Sequence, residues 1–192
     1  MLSRAAEFKL TSAEAKARME AARDEAANVR SNIFLTLLQL DRVRGERDPQ
    51  HPQFQVFTNQ LASMEQLAKA FGKHAEEMKQ KGSMYFADWE ARADAIQNPE
   101  ARERAKAHFA ERRSSYDAIN RFMQDARSNF MLFITALTEI KTIGEAQPDP
   151  KGIARAKELF MQANWRCIDV QRALMGMEEE FDNLAASFAK DE

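Results

Sequence analysis

Phe109–Ile140, FAERRSSYDAINRFMQDARSNFMLFITALTEI, is the stretch whose reading decides the fold. Taken at alternating steps of three and four it stops at Phe109, Arg112, Tyr116, Ile119, Met123, Ala126, Phe130, Phe133, Leu137 and Ile140. All but Arg112 are apolar or aromatic. This spacing is the a/d pattern by which a helix keeps one stripe against a partner. Within it, Phe130-Met131-Leu132-Phe133-Ile134 is apolar on every side of a helix.

The same steps can be followed outward in both directions. Upstream they run from Ala15 through Met19, Ala22, Ala26, Val29 and Ile33 to Leu37 and Leu40. A second line runs from Phe54, Phe57, Leu61 and Met64 through Ala68, Phe71, Ala75 and Met78 to Gly82, Tyr85, Trp89, Arg92 and Ile96. Downstream a line runs from Ile153 to Phe188 through Phe160, Ala163, Cys167, Val170, Leu174, Met177, Phe181 and Leu184. Punctuation falls between the lines. Thr11 with Glu14 is a capping box. Gly45 and Asp48-Pro49-Gln50-His51-Pro52 end the first line, since proline cannot continue a helix. Asn98-Pro99-Glu100 combines a cap, a proline at the first helical position and an acid at the positive end of the dipole. Asp149-Pro150 repeats that logic, and Gly144 suits a helix end. Lys81-Gly82-Ser83 is the expected bend in the second line.

These signals predict an all-α fold: one elongated antiparallel bundle domain over 1–192, with helices of about 12–46, 53–97, 99–143 and 150–189 and coiled-coil packing. Three helices with one pair kinked, or an opened coiled coil that dimerises, are variants of the same pattern. The Ala-lined first half of helix one suggests close approach to its neighbours.

Reflecting residues across the turns places Phe34 opposite Met64, Met64 opposite Phe130 and Met131, and Met131 opposite Ala163 to Trp165. The all-round apolar parts of helices one and three thus share one height. This belt is either the thick middle of the core or a surface for self-association. Phe34, Phe130, Met131, Phe133 and Trp165 are the candidate interface residues. Trp165 lies off its line and is either an interface anchor or a partly buried flank residue. Trp89 lies on its line and is expected in the core.

With 28 basic and 30 acidic residues the formal charge is −2, and the signs are mixed along the chain. That gives no basic face for nucleic acid. Arg102, Arg104, Lys106, Arg112 and Arg113 are interleaved with Glu100, Glu103 and Glu111, so intrahelical pairing competes with attraction to anionic lipid. The acidic run Glu178-Glu179-Glu180 with Asp182 reads as a solvated face. Apolar runs reach about five residues, against the ~20 that span a bilayer. Met1–Glu7 shows no apolar leader and no lipobox cysteine. A soluble protein follows, cytoplasmic, or of the periplasm or envelope if a leader was removed. Cys167 is the single cysteine, which rules out an intrachain disulfide. The histidines His51, His74 and His108 are preceded at three residues by Asp48, Phe71 and Ala105. None makes the Glu-x-x-His of a di-iron bundle. No phosphate loop and no nucleophile elbow is present. Neither a catalytic residue, nor a metal ligand, nor a cofactor site is expected.

Tyr85-Phe86-Ala87-Asp88-Trp89-Glu90, then Ala95 to Arg104 with Asn98-Pro99-Glu100, then Arg113 and Tyr116, resembles a bacterial coiled-coil family, domain of unknown function 2959. The resemblance extends over most of the chain and is strongest in its middle third. It implies a helical fold and brings no activity, cofactor or catalytic residue. Many members of that family look like exported proteins or lipoproteins, whereas this sequence shows neither leader nor lipobox. The function expected from the sequence is a non-enzymatic helical scaffold or interaction protein that self-associates, as a dimer. A membrane-surface or curvature-sensing bundle of the bacterial envelope is the alternative, and a ligand site hidden at the belt is a third reading.

Overall fold

The computed structural model describes residues 12–43, 51–146 and 149–189; the side chains of 12–16, 188 and 189 lie outside that description. It consists of four helices: α1 (Ser12–Val43), α2 (Pro52–Asp94), α3 (Pro99–Glu145) and α4 (Pro150–Ala189). The capping box at Thr11 and Glu14, the turn residues Gly45 and Asp48–Gln50, and Ala15 and Phe188 at the ends of two lines fall outside the described parts.

The helix starts follow from their caps. Asn98 accepts a hydrogen bond from the Ala101 amide at 3.1 Å, with Pro99 at the first position. Asp149 does the same for Gly152 at 2.7 Å. At α2 the cap is His51, whose Nδ1 accepts from the Gln53 amide at 3.2 Å. A histidine is not among the residues that usually signal a cap, and α2 starts at Pro52, one residue before the start the sequence predicts. α2 ends at Asp94, where Ala95 and Ile96 donate back to the Arg92 and Ala93 carbonyls. Gly144 does not terminate α3, which continues to Glu145. Its missing side chain makes room for the ring of Phe54, whose Cε2 lies 2.6 Å from where a Cβ would stand.

Neighbours in sequence pack antiparallel, and α1 closes the square against α4. Among the described residues the two diagonal pairs make no direct approach. Cross-helix pairs fix the register: Glu25 with His74, Asp94 with Lys106, Glu139 with Arg155, and Arg23 with Asp182. The core is one continuous cluster. Its best-buried large side chains include Ile33, Phe57, Met64, Phe133, Leu137, Leu174 and Phe181, each contributing about 1.5–3 kcal/mol by leaving water. α3 and α4 form the most extensive pair, with Ala118, Ala126, Ala136, Ala163 and Ala173 all buried.

Two departures from the periodic lines have packing causes. Trp89 is half-buried and Arg92 exposed, while Phe86 and Ala93 are buried in their place. At this height α2 turns its apolar line toward α3. Phe86 meets Phe109 and Tyr116 there, and Trp89 stacks on Phe86 at 6.3 Å. The second departure is at the Ala-lined half of α1. Ala22 and Ala75 line a gap between α1 and α2 instead of drawing the helices together, leaving a cavity of about 300 Å³. At about 24 cal/mol per Å³ a closed void of that size would cost ~7 kcal/mol; the open mouth toward solvent makes this an upper figure.

Gly82 is no bend. α2 runs through it unbroken, and the ring of Tyr116 occupies the space a side chain would take. The phenol donates to the Lys79 carbonyl at 2.6 Å. Gly72 has nothing within 4 Å. Gly72→Ala should therefore raise the unfolding free energy by about 1 kcal/mol. Gly82→Ala should lower it by about 1–3 kcal/mol through overpacking, despite the same gain in propensity. Urea melts of both variants check this, and equal shifts would refute the role given to Tyr116.

Candidate interaction surface

The belt divides between core and surface. Phe130 and Phe133 are buried, at 3% and 0% exposure, and so lie beneath the surface and are unavailable to a partner. They belong to the line that faces the other helices, and the stacked pair they form, 6.3 Å apart, fills the bundle's middle. Phe34, Met131 and Trp165 are exposed at 59%, 57% and 70%. On α1, Leu35 and Leu38 join Phe34 outside, while Ile33, Thr36 and Leu40 face inward. Thr36 is satisfied within its helix, its hydroxyl donating to the Asn32 carbonyl at 2.8 Å.

The register pairs place these groups. Asn129 and Arg166 meet across α3 and α4 at 3.0 Å, so Met131 and Trp165 stand at similar heights. Trp165 and Leu132 line the same groove between α3 and α4. On the other flank of α4 lies a feature that sequence reasoning missed. Met161, Ile168 and Met175 are all exposed and recur every seven residues. Asp182 continues this line and pairs with Arg23 of α1 at 3.0 Å, which shows that the line runs along the flank facing α1. Arg30 meets Glu178 at 3.3 Å in the same seam. Phe34, one turn on from Arg30, therefore leans toward α4 at a height between Ile168 and Met175. The signal was available: a second apolar heptad line, one residue beyond the buried one.

The charged groups named from the sequence are engaged. Lys106 bridges to Asp94 at 2.9 Å and holds its carboxyl below the usual range. Arg113 pairs with Asp117 at 3.1 Å and lies over the rings of Phe86 and Tyr116. Arg112 is buried; its guanidinium lies 4.9 Å from the centre of the Trp89 ring. It donates to the Ser187 hydroxyl at 3.1 Å and to the Ser187 carbonyl at 2.6 Å. That carbonyl is one of the last four of α4, which have no partner within the helix. A cation there also answers the negative end of the helix dipole. Three helices are thus tied at one point. The charged stop on the seam is a structural clamp, so three of the five residues of the basic start of α3 are committed within the chain.

Cys167 is buried on the inner line of α4. Burial pushes its thiol up to about 11, opposed in part by the Gln171 amide, which donates to the sulfur at 3.4 Å. His51 caps α2, and His74 Nδ1 sits 2.8 Å from Glu25. Among the described residues no three of His, Cys, Asp and Glu converge as metal ligands. No helix among them is long and apolar enough to cross a membrane. No family model, no curated protein and no solved structure matches the chain.

At pH 8 the Cys167 thiol should react with a disulfide reagent at least tenfold more slowly than a free thiol, since the thiolate is the reactive form. Full reactivity should return in denaturant; fast labelling of the folded protein would contradict its burial. Arg112→Met should lower stability by about 2 kcal/mol, the scale of hydrogen bonds to a charged donor. Arg112→Lys should recover only part, because the planar fork is lost. A calorimetric scan of both variants decides, and an unchanged Arg112→Met protein would remove the clamp.

Proposed function

We propose that this protein is a non-enzymatic helical scaffold that self-associates through the outer face of α4. The exposed line Met161, Ile168 and Met175 carries the reading. Large exposed apolar groups set at heptad spacing are the raw material of a helix–helix interface. This line is symmetric about Ile168, with a methionine seven residues to either side. In an antiparallel two-fold pair of α4 helices, Ile168 meets its own copy and Met161 meets Met175 of the second copy. The same axis brings Trp165 beside Arg172 of the second copy, seven residues further along the chain. Arg172 is 75% exposed in its side chain, and a guanidinium over an indole is the strongest form of cation–π contact. One surface therefore supplies both halves of each contact, as an isologous dimer requires.

Phe34 and Leu38 on one side and Leu132 on the other widen the face. The resemblance to domain of unknown function 2959 agrees with a helical scaffold but adds no activity, and the reading does not rest on it. For the membrane-surface alternative the support is weaker, since Lys106, Arg112 and Arg113 are occupied within the chain.

Light scattering behind size exclusion tests the proposal. The expected result is a dimer that Ile168→Glu and Trp165→Ala shift toward monomer, with helicity unchanged. A wild-type chain that stays monomeric at every concentration would refute it. If that monomer co-sediments with anionic vesicles, the membrane-surface reading replaces it.

A further inference from the structure

The cavity of about 300 Å³ lies well away from the α4 face, between the first half of α1 and the second half of α2, with α3 and α4 as its floor. Its origin is a mismatch of side-chain size. Ala22 and Ala75 supply too little volume to fill the layer between α1 and α2. Its floor is built from large apolar groups that are already well buried: Met123, Met177 and Phe181. Methionines adapt their shape to an occupant at little cost. An apolar space of this kind gives water few partners and is poorly hydrated.

The rim differs in kind from the walls. Arg18, Glu25, His74, Glu77 and Lys81 surround the mouth between α1 and α2. Its two carboxylates are already engaged. Glu25 lies 2.8 Å from His74, and Glu77 lies 3.9 Å from both Lys73 and Lys81. Among the described residues no carboxylate pairs with Arg18. Among the described residues the cation at the mouth with no carboxylate beside it is thus the Arg18 guanidinium, whose planar fork matches a carboxylate in a bidentate way.

We propose that this cavity binds one fatty carboxylate, its chain among Met123, Met177 and Phe181 and its head on Arg18. The size selects the chain. A volume of 300 Å³ is at the small end for ligand pockets and holds about ten groups of the size of a water molecule. That suits a single chain of about ten carbons. Burial of the chain provides the driving force, and Arg18 provides the preference for an acid over an alcohol.

Isothermal titration of the full chain with decanoate, kept below its aggregation threshold, is the test. One molecule of decanoate should bind per chain, and butyrate should not bind. Decanol should bind about tenfold more weakly than decanoate. Arg18→Gln should abolish that difference between acid and alcohol while leaving decanol affinity unchanged. Ala75→Leu should fill the space, so that decanoate binding is lost while the melting temperature of the free protein rises. That rise separates a filled cavity from a misfolded variant. Absence of decanoate binding to the wild-type chain would overturn the site. So would undiminished binding by a stably folded Ala75→Leu protein, and an unchanged preference for acid in Arg18→Gln would overturn the role of the head group.

Discussion

Each layer of a four-helix bundle must be filled by side chains drawn from all four helices at the same height, and this volume rule governs the whole structure. Interiors pack at crystal-like density, so a shortfall in one layer cannot be spread over its neighbours. Where Phe57, Met64, Phe130, Phe133 and Leu137 contribute, the layers are full. Where Ala22 and Ala75 contribute, the layer is short and a cavity remains. Near Trp89, α2 turns its line toward α3 and an aromatic group built on Phe86 fills the layer. The three regions obey one rule with different side-chain volumes.

The fold was legible because it depends on periodicity, which survives in a single sequence. The four lines, the antiparallel order and the caps at Asn98 and Asp149 could all be read directly. What could not be read depends on which residue from another helix stands opposite. Gly82 and Gly144 looked like breaks but receive the rings of Tyr116 and Phe54. Ala22 suggested close approach, yet whether a small residue narrows or empties a layer is decided by its neighbours. Of the five candidate residues, the run Phe130–Ile134 shows the difficulty. An apolar run contributes both to the core and to the surface, and only helix phase assigns Phe130 and Phe133 inward and Met131 outward. The same helix phase that sets Trp165 off the buried line of α4 also sets Met161, Ile168 and Met175 outside it.

Charge is distributed by a complementary rule. Most ion pairs are exposed and lie across or along seams, where each contributes at most about 1 kcal/mol. Their value is positional: Arg23 with Asp182, Arg30 with Glu178 and Arg155 with Glu139 fix the heights of neighbouring helices. Arg112 is the exception, buried against the last turn of α4. It does for the end of that helix what Asn98 and Asp149 do for helix starts, by satisfying backbone groups that the helix cannot satisfy itself. The α4 outer face is almost free of such pairs between Met161 and Met175, apart from Asp169 with its two arginines.

The thin layer also determines how the molecule breathes. Segments with few buried contacts open at a lower free energy than the whole, and the first half of α1 meets α2 across alanines and empty space. Ala26 and Val29, both fully enclosed, mark where dense packing resumes. The stretch of α1 from Arg18 to Glu25 is therefore held less tightly by apolar packing than the stretch from Ala26 onward. The alanines that thin the contact between α1 and α2 also line the mouth beside Arg18, so weak local cohesion and access to the interior have one cause.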